Sequence, residues 1–255
     1  MPLRTTKTLA NRAKRRGGKL HLELASRIGE GILNGTYAPG SLLPNEAEWG
    51  AMFGVSRTAV REAVKTLNGK GLLVSRPKIG SRVEPRDRWN LLDRDVLTWH
   101  AAAMDRKALL LKIQEVRRIL EPGAAGLAAS TRSDAQLHRL KSALDGMRNA
   151  RSAEDAVAPD VDFHLALLSA ANNELLSPFG TIIEHSLRRM FDYTSRHNPK
   201  PAVVIPLHEA VFEAVASGRP EAARHAVEAL LRDTDTVIAA GPDPAPARPA
   251  VRRKP

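Results

Sequence analysis

The sequence predicts a mainly α protein in two parts, an N-terminal winged helix-turn-helix followed by an all-helical bundle. Three observations carry that prediction. The run SRTAVREAV at 56–64 begins a helix that sets Arg57, Arg61 and Lys65 one turn apart on one face, while Val60, Ala63, Val64 and Leu67 fall on the other. Positive charge is concentrated at the front: residues 1–84 hold 15 Lys and Arg against 6 Asp and Glu, whereas residues 85–240 hold 20 against 21. From Trp89 onward apolar residues recur at helical spacing, and no strand-like alternation of useful length interrupts them.

Residues 1–19 carry seven basic and no acidic side chains and two adjacent glycines, the composition of a disordered basic arm. Leu20, Leu24, Ile28 and Ile32 then form one apolar stripe that Gly35 ends, and the turn-rich GTYAPGS follows. Asn45 is placed to cap a short helix through Phe53 that Gly54 stops, and Ser56 is placed to cap the next, which gives helix, tight turn, helix. LLVS at 72–75 and SRV at 81–83 flank RPKIG and predict a hairpin with a basic tip, a wing. These elements make residues 20–84 a winged helix-turn-helix domain.

PRDRWNLLDRDVLTWH makes 85–104 a packed linker with its own helix. Helices are predicted near 93–103, 105–130, 133–149, 153–172, 173–196, 203–217 and 219–239, with breaks at Asn172, Asn198 to Pro199 and Gly218 to Pro220. The bundle occupies 105–240, and the proline-rich cationic stretch 241–255 predicts a disordered tail.

Without cysteine the chain has no disulfide framework and no thiolate metal site. Its first residues lack the apolar stretch of a signal peptide, and no run approaches the ~20 apolar residues of a membrane span, so a soluble cytoplasmic protein is expected. A cationic helix face on a basic domain is the footprint of double-stranded DNA, read specifically or bound without sequence preference. In the bundle, Asp160 and His164 stand at i and i+4, one face of a helix, and His208 opens a later helix. Alone, such a set is more often a surface pair or a satisfied core histidine than a group of oxygen and imidazole ligands for a metal.

GTYAPGSLLPNEAEW, FGVSRTAVREAVKTLNGKGLL and the RPKIGSRV wing resemble the N-terminal domain of the GntR family of bacterial transcription regulators. EVRRILEP, DVDFH, ANNELL and PLHEAVFEAVASGRPEAARHAV resemble the FadR-type effector domain (FCD), and RWNLLDRDVLTW is similar to the linker of the regulators of sugar-acid catabolism. The resemblance covers about residues 20–240. It implies that Ser56, Arg57, Thr58 and Arg61 contact operator DNA, with Lys65 on the same face, and that the wing tip at Lys78 and Gly80 enters the minor groove. Two positions depart from the pattern: Ala47 stands where a basic contact residue is frequent, and Lys78 replaces the first glycine of a Gly-x-Gly.

In the effector domain the resemblance implies a divalent metal, zinc with nickel and manganese as alternatives, on Asp160, His164 and His208. The family's second late histidine falls at Leu230, and His225 lies about five residues too early to share its face, so a metal-free pocket stays open. Arg117 and Arg189 match positions facing the effector cavity, where a guanidinium clamps a carboxylate. Arg117 and Glu121 at i and i+4 also read as an ordinary helix pair, and Arg188 competes with Arg189. The implied protein is a homodimeric repressor that releases a palindromic operator when a small carboxylate, of the sugar-acid kind, binds the helical domain. The rival class is a metal-dependent hydrolase or lyase using Asp160, His164 and His208. Against it, the sequence has no Gly-x-Ser-x-Gly and no phosphate loop.

Overall fold

The computed structural model describes residues 20–194 and 204–240. The arm, the tail and the break at Asn198 to Pro199 lie outside the described residues. The chain divides into two compact units at Met104 and Asp105.

The first unit begins with α1 (20–33), which buries Leu24, Ile28 and Ile32, while Leu20 at the end of the helix stays 40% exposed. Asn45 caps α2 (Glu46–Phe53) by accepting from the Ala47 and Glu48 amides at 2.9 and 3.0 Å, and the Glu48 carboxylate accepts from the Asn45 amide at 2.7 Å. Gly54 stops the helix at φ 65°, a left-handed turn that costs glycine little. Ser56 then caps α3 (Arg57–Gly69) through the Ala59 amide at 3.2 Å, and Val60, Ala63 and Leu67 are buried beneath it. The wing is the antiparallel pair β1 (Leu73–Arg76) and β2 (Gly80–Val83), in register from Leu73 opposite Val83 to Arg76 opposite Gly80.

A 3-10 turn (Arg86–Arg88) leads to α4 (Arg94–Ala103), capped by Asp93. Val96 and Trp99 of α4 enter one core with Ile28, Trp49, Leu67, Leu72 and Val83. Lys70, just past α3, holds α4 from outside that core, with its ammonium 2.7 Å from Asp93 and 2.9 Å from Asp95. The linker helix therefore packs as a member of the winged unit. Its closest approach is at Gly29 of α1, where a Cβ would stand 2.4 Å from the Trp99 ring. Gly29→Ala is expected to destabilise the unit: overpacking towards 3 kcal/mol exceeds the gain in helix propensity of about 1 kcal/mol. Urea denaturation checks the sign.

The second unit contains α5 (Arg106–Thr131), α6 (Asp134–Arg148), α7 (Ala153–Ala170), a 3-10 turn (Glu174–Phe179), α8 (Gly180–Thr194), α9 (Val204–Ala216) and α10 (Pro220–Ala240). One helix was expected from 173. The structure instead has the 3-10 turn first, because Pro178 has no amide hydrogen to give the Glu174 carbonyl. The core joins Leu140 and Leu144 of α6, Phe163 and Leu167 of α7, Val211 and Val215 of α9, and Val227, Leu230 and Leu231 of α10. Ala125, Ala128 and Ala129 give α5 a small-residue face in that core.

Candidate functional site

Ser56, Arg57, Thr58, Arg61 and Lys65 are all exposed on α3, opposite its buried side. Serine and threonine hydroxyls and the helix N-terminal amides suit phosphate, and arginine suits guanine. At the wing tip Lys78 and Gly80 are exposed, and both have positive φ, 65° and 102°. That backbone explains why the pattern favours glycine at position 78, and lysine holds it at some strain while adding a charge. Lys78→Ala is expected to weaken binding to all duplexes alike and to reduce the salt slope by about one unit, since a phosphate contact carries no base information. Titrations at several salt concentrations measure both. Ala47, exposed on α2, offers no contact beyond its methyl group. Arg61 is engaged: its Nε and Nη2 donate to the two carboxylate oxygens of Glu46, each at 3.0 Å.

In the second unit α7 presents Asp160 and His164 one turn apart, and α9 brings His208 to them. His208 Nε2 lies 3.0 Å from Asp160 Oδ1, His164 Nε2 lies 3.8 Å from it, and one ligand atom from each residue falls within 4.8 Å of the others. Both imidazoles are buried, and the ring of Phe163 meets both edge-on. The tautomers follow from what each Nδ1 touches. His208 Nδ1 is 2.9 Å from the Val204 carbonyl, which only accepts, so Nδ1 carries the hydrogen. His164 Nδ1 is 2.9 Å from Glu121 Oε2, an ionised carboxylate and again an acceptor. A neutral ring then turns the lone pair of Nε2 inward in both cases.

Burial opposes the charge of Asp160, but a hydrogen bond and positive charge from His208 first, then the charges of His164 and Arg117, hold its carboxyl below the ordinary range, a lowering that belongs to the state with a proton on His208 Nε2. With His208 neutral, its Nε2 is buried with no aligned hydrogen bond despite the 3.0 Å approach. With both rings neutral the three converging atoms are acceptors, and the donor that reaches them is Arg117 Nη2, 3.4 Å from His164 Nε2, so a divalent cation fits between the His208, His164 and Asp160 atoms. Leu230 is buried in the apolar core and His225 is exposed, so neither supplies a fourth ligand.

Beneath the triad lies a polar layer built on Arg117, which the sequence offered both as an effector-cavity residue and as a helix pair with Glu121. Arg117 is fully buried and donates from Nε to Glu121 Oε1 at 2.6 Å, and its Nη2 stands 3.4 Å from His164 Nε2. Burial alone would raise the Glu121 pKa, yet Arg117 and then His164 outweigh it and bring the carboxyl down to about 2. Gln114 accepts from Arg117 Nη1 at 3.1 Å and donates to Asp235 Oδ1 of α10 at 3.1 Å. The helix-pair reading and a pocket role therefore meet in one side chain, since the guanidinium is neutralised by Glu121 while touching a triad histidine. Arg189 is half-buried on α8, and exposed Arg188 pairs with Glu184. The i, i+4 spacing was the only sequence signal for Glu121, and nothing signalled Gln114 or Asp235.

Known families match both units. Residues 20–83 match the family described as bacterial regulatory proteins, gntR family, and residues 112–233 match the FCD domain. The chain is 35% identical over 215 residues to an uncharacterized HTH-type transcriptional regulator, YieP of Escherichia coli (strain K12), covering 83% of this chain and 92% of that protein. It belongs to the GntR family. As a GntR regulator with an FCD domain it is a DNA-binding transcription regulator, and the regulators of this family bind operator DNA and small-molecule effectors. It is 32% identical over 206 residues to the galactonate operon transcriptional repressor of Escherichia coli (strain K12), covering 80% of this chain and 90% of the relative. The solved structure of Lar, described as controlling expression of the Listeria monocytogenes agr system, superposes with a TM-score of 0.57 at 20% identity, covering 86% of this chain and 96% of that one, and shares the fold. With GntR regulators on every side, the hydrolase or lyase reading is not favoured. Among the described residues no helix is long and apolar enough to cross a membrane.

Proposed function

We propose that this GntR regulator is a homodimeric repressor that leaves a palindromic operator when a small hydroxy acid, of the sugar-acid class, binds the FCD domain beside a divalent cation on Asp160, His164 and His208. The observation that carries the effector half is the convergence of three acceptor atoms, two of them imidazole Nε2 lone pairs, in a buried setting. Two nitrogens and a carboxylate oxygen suit zinc, with nickel and manganese as neighbours in ligand preference. When bound, the cation offers open positions to an effector carboxylate and hydroxyl. Glu121 and the Val204 carbonyl fix the two rings by taking their Nδ1 hydrogens, and Arg117 keeps Glu121 ionised. Half-buried Arg189 is the remaining candidate for a direct contact to the effector carboxylate, with Arg117 acting on the pocket through His164 and Glu121.

The name of the galactonate operon repressor supports the sugar-acid class. Ser56, Arg57, Thr58, Arg61, Lys65, Lys78 and Gly80 are the proposed DNA contacts, by their exposure on α3 and the wing. The dimer is supported by Ile119, 77% exposed, and Leu127, 41% exposed two turns on along the same side of α5, apolar surface that a partner copy would cover. Preferential binding of the effector to one arrangement of the paired winged units supplies the switch.

Thermal shift with a panel of hydroxy acids, each with added zinc and with chelator, tests the effector reading. A true ligand at about 100 times its Kd stabilises by about 2.7 kcal/mol. Stabilisation by a sugar acid only with metal supports the site. Stabilisation indifferent to chelator replaces it with a metal-free pocket. A monomer at micromolar concentration in sedimentation, with and without DNA, removes the dimer.

A further inference from the structure

The fork between Arg61 and Glu46 is not an ordinary surface pair in its placement. Glu46 is the first residue of α2, and Arg61 lies on the exposed face of α3 across the tight turn. An acid beside the DNA-facing surface repels phosphate, and α2 does not need it as a cap. Asn45 and Glu48 already complete the capping box. Among the described residues, neither Arg57 nor Lys65 of the same face has an ion pair. Glu46 therefore forks one cation of the three, with Arg57 adding only a weaker charge interaction, and it does so through both oxygens at 3.0 Å, side-on, using Nε and Nη2 of the Arg61 guanidinium. The carboxyl is held below its ordinary range chiefly by that hydrogen-bonded arginine.

A guanidinium has five N–H donors in two forked edges. A side-on carboxylate occupies the Nε–Nη2 edge and leaves the Nη1–Nη2 edge open. The open edge has the spacing of the O6 and N7 acceptors of guanine in the major groove. A lone exposed arginine must lose rotamer freedom before it can make that bidentate contact, whereas one already held in plane loses less.

We propose that Glu46 is a specificity-determining positioning residue: it fixes the plane of Arg61 so that the free edge reads a guanine in each half-site. This rests on the reading of α3 as the recognition helix. The acid costs general attraction to the phosphate backbone and returns base discrimination, so its removal should move the two in opposite directions.

The experiment is a binding selection from a pool of randomised duplexes with the full chain, as wild type, Glu46→Gln, Glu46→Asp and Arg61→Ala. Titrations of the winning duplex and of a random-sequence duplex follow. Glu46→Asp keeps the charge at the helix terminus but is one methylene too short for the fork, so it separates positioning from the helix dipole and from folding. The expected result is that Arg61→Ala loses a G:C preference at one position per half-site, and that both Glu46 variants weaken the same position. The ratio of specific to random-duplex affinity should fall about tenfold in those variants, the scale of one bidentate contact. Random-duplex affinity at low salt should rise in Glu46→Gln, and Glu46→Gln combined with Arg61→Ala should be no less selective than Arg61→Ala alone. An altered motif for Arg61→Ala beside an unchanged motif for both Glu46 variants overturns the proposal while leaving the recognition helix in place. An unchanged motif for Arg61→Ala overturns the underlying reading of Arg61, and the proposal with it.

Discussion

Glu121→Ala is expected to cost the helical unit about 3–5 kcal/mol, because it leaves a buried guanidinium without its counter-charge, with only Gln114 still accepting from it, and the Nδ1 of a buried imidazole without its acceptor. Arg117 and Glu121 are both essentially inaccessible, so water cannot replace the lost carboxylate. The same geometry predicts that replacing both partners, Arg117→Met with Glu121→Leu, costs less than the single change, since an apolar pair leaves no unpaired charge. Urea denaturation of the four proteins of the cycle measures the difference. A loss below about 1 kcal/mol for Glu121→Ala would mean that the pair is worth no more than an exposed one. The pH dependence has a definite sign. The Glu121 carboxyl is lowered from an ordinary 4.5 to about 2 in the fold, so its contribution is fully present above about 4.5 and is lost as pH falls towards 2. In Glu121→Gln that portion of the acid dependence should vanish.

His164→Ala and His208→Ala should each abolish stoichiometric metal and make the regulator insensitive to its inducer while leaving operator binding in place. The proposed site has three candidate ligands among the described residues, and removing one leaves two. DNA binding should survive because the histidines belong to the second compact unit and α3 to the first. Elemental analysis of purified protein and operator-release titrations provide the two readouts. Wild type without bound metal, together with normal induction in both variants, would transfer the effector role to a metal-free pocket with Arg189 as its anchor. Loss of operator binding in either variant would show instead that the triad maintains the fold on which the winged unit depends.

Much of this molecule was decided by local rules that a single sequence states openly. Asn45, Gly54 and Ser56 mark the helix-turn-helix because capping and left-handed turns involve residues within four of each other. Asp160 and His164 share a face because the pitch of α7 places i and i+4 together, whatever packs against them. Only tertiary structure decided what those faces meet. Glu46 and Arg61 are 15 residues apart, and no periodicity couples them. Gln114 and Asp235 are separated by 121 residues, and His208 reaches Asp160 only because α9 lies against α6 and α5 in the bundle that holds α7. The pair Arg117 and Glu121 shows the division most sharply. Spacing alone gives a solvated surface pair worth a few tenths of a kcal/mol. Burial by α7 and α10 removes the water that would screen it, adds His164 as a partner, and turns the same two side chains into the floor of the candidate site. Helical pitch and caps act through neighbouring backbone groups and are written in order along the chain. Desolvation depends on which faces close over one another, and that is settled only when the whole bundle has packed.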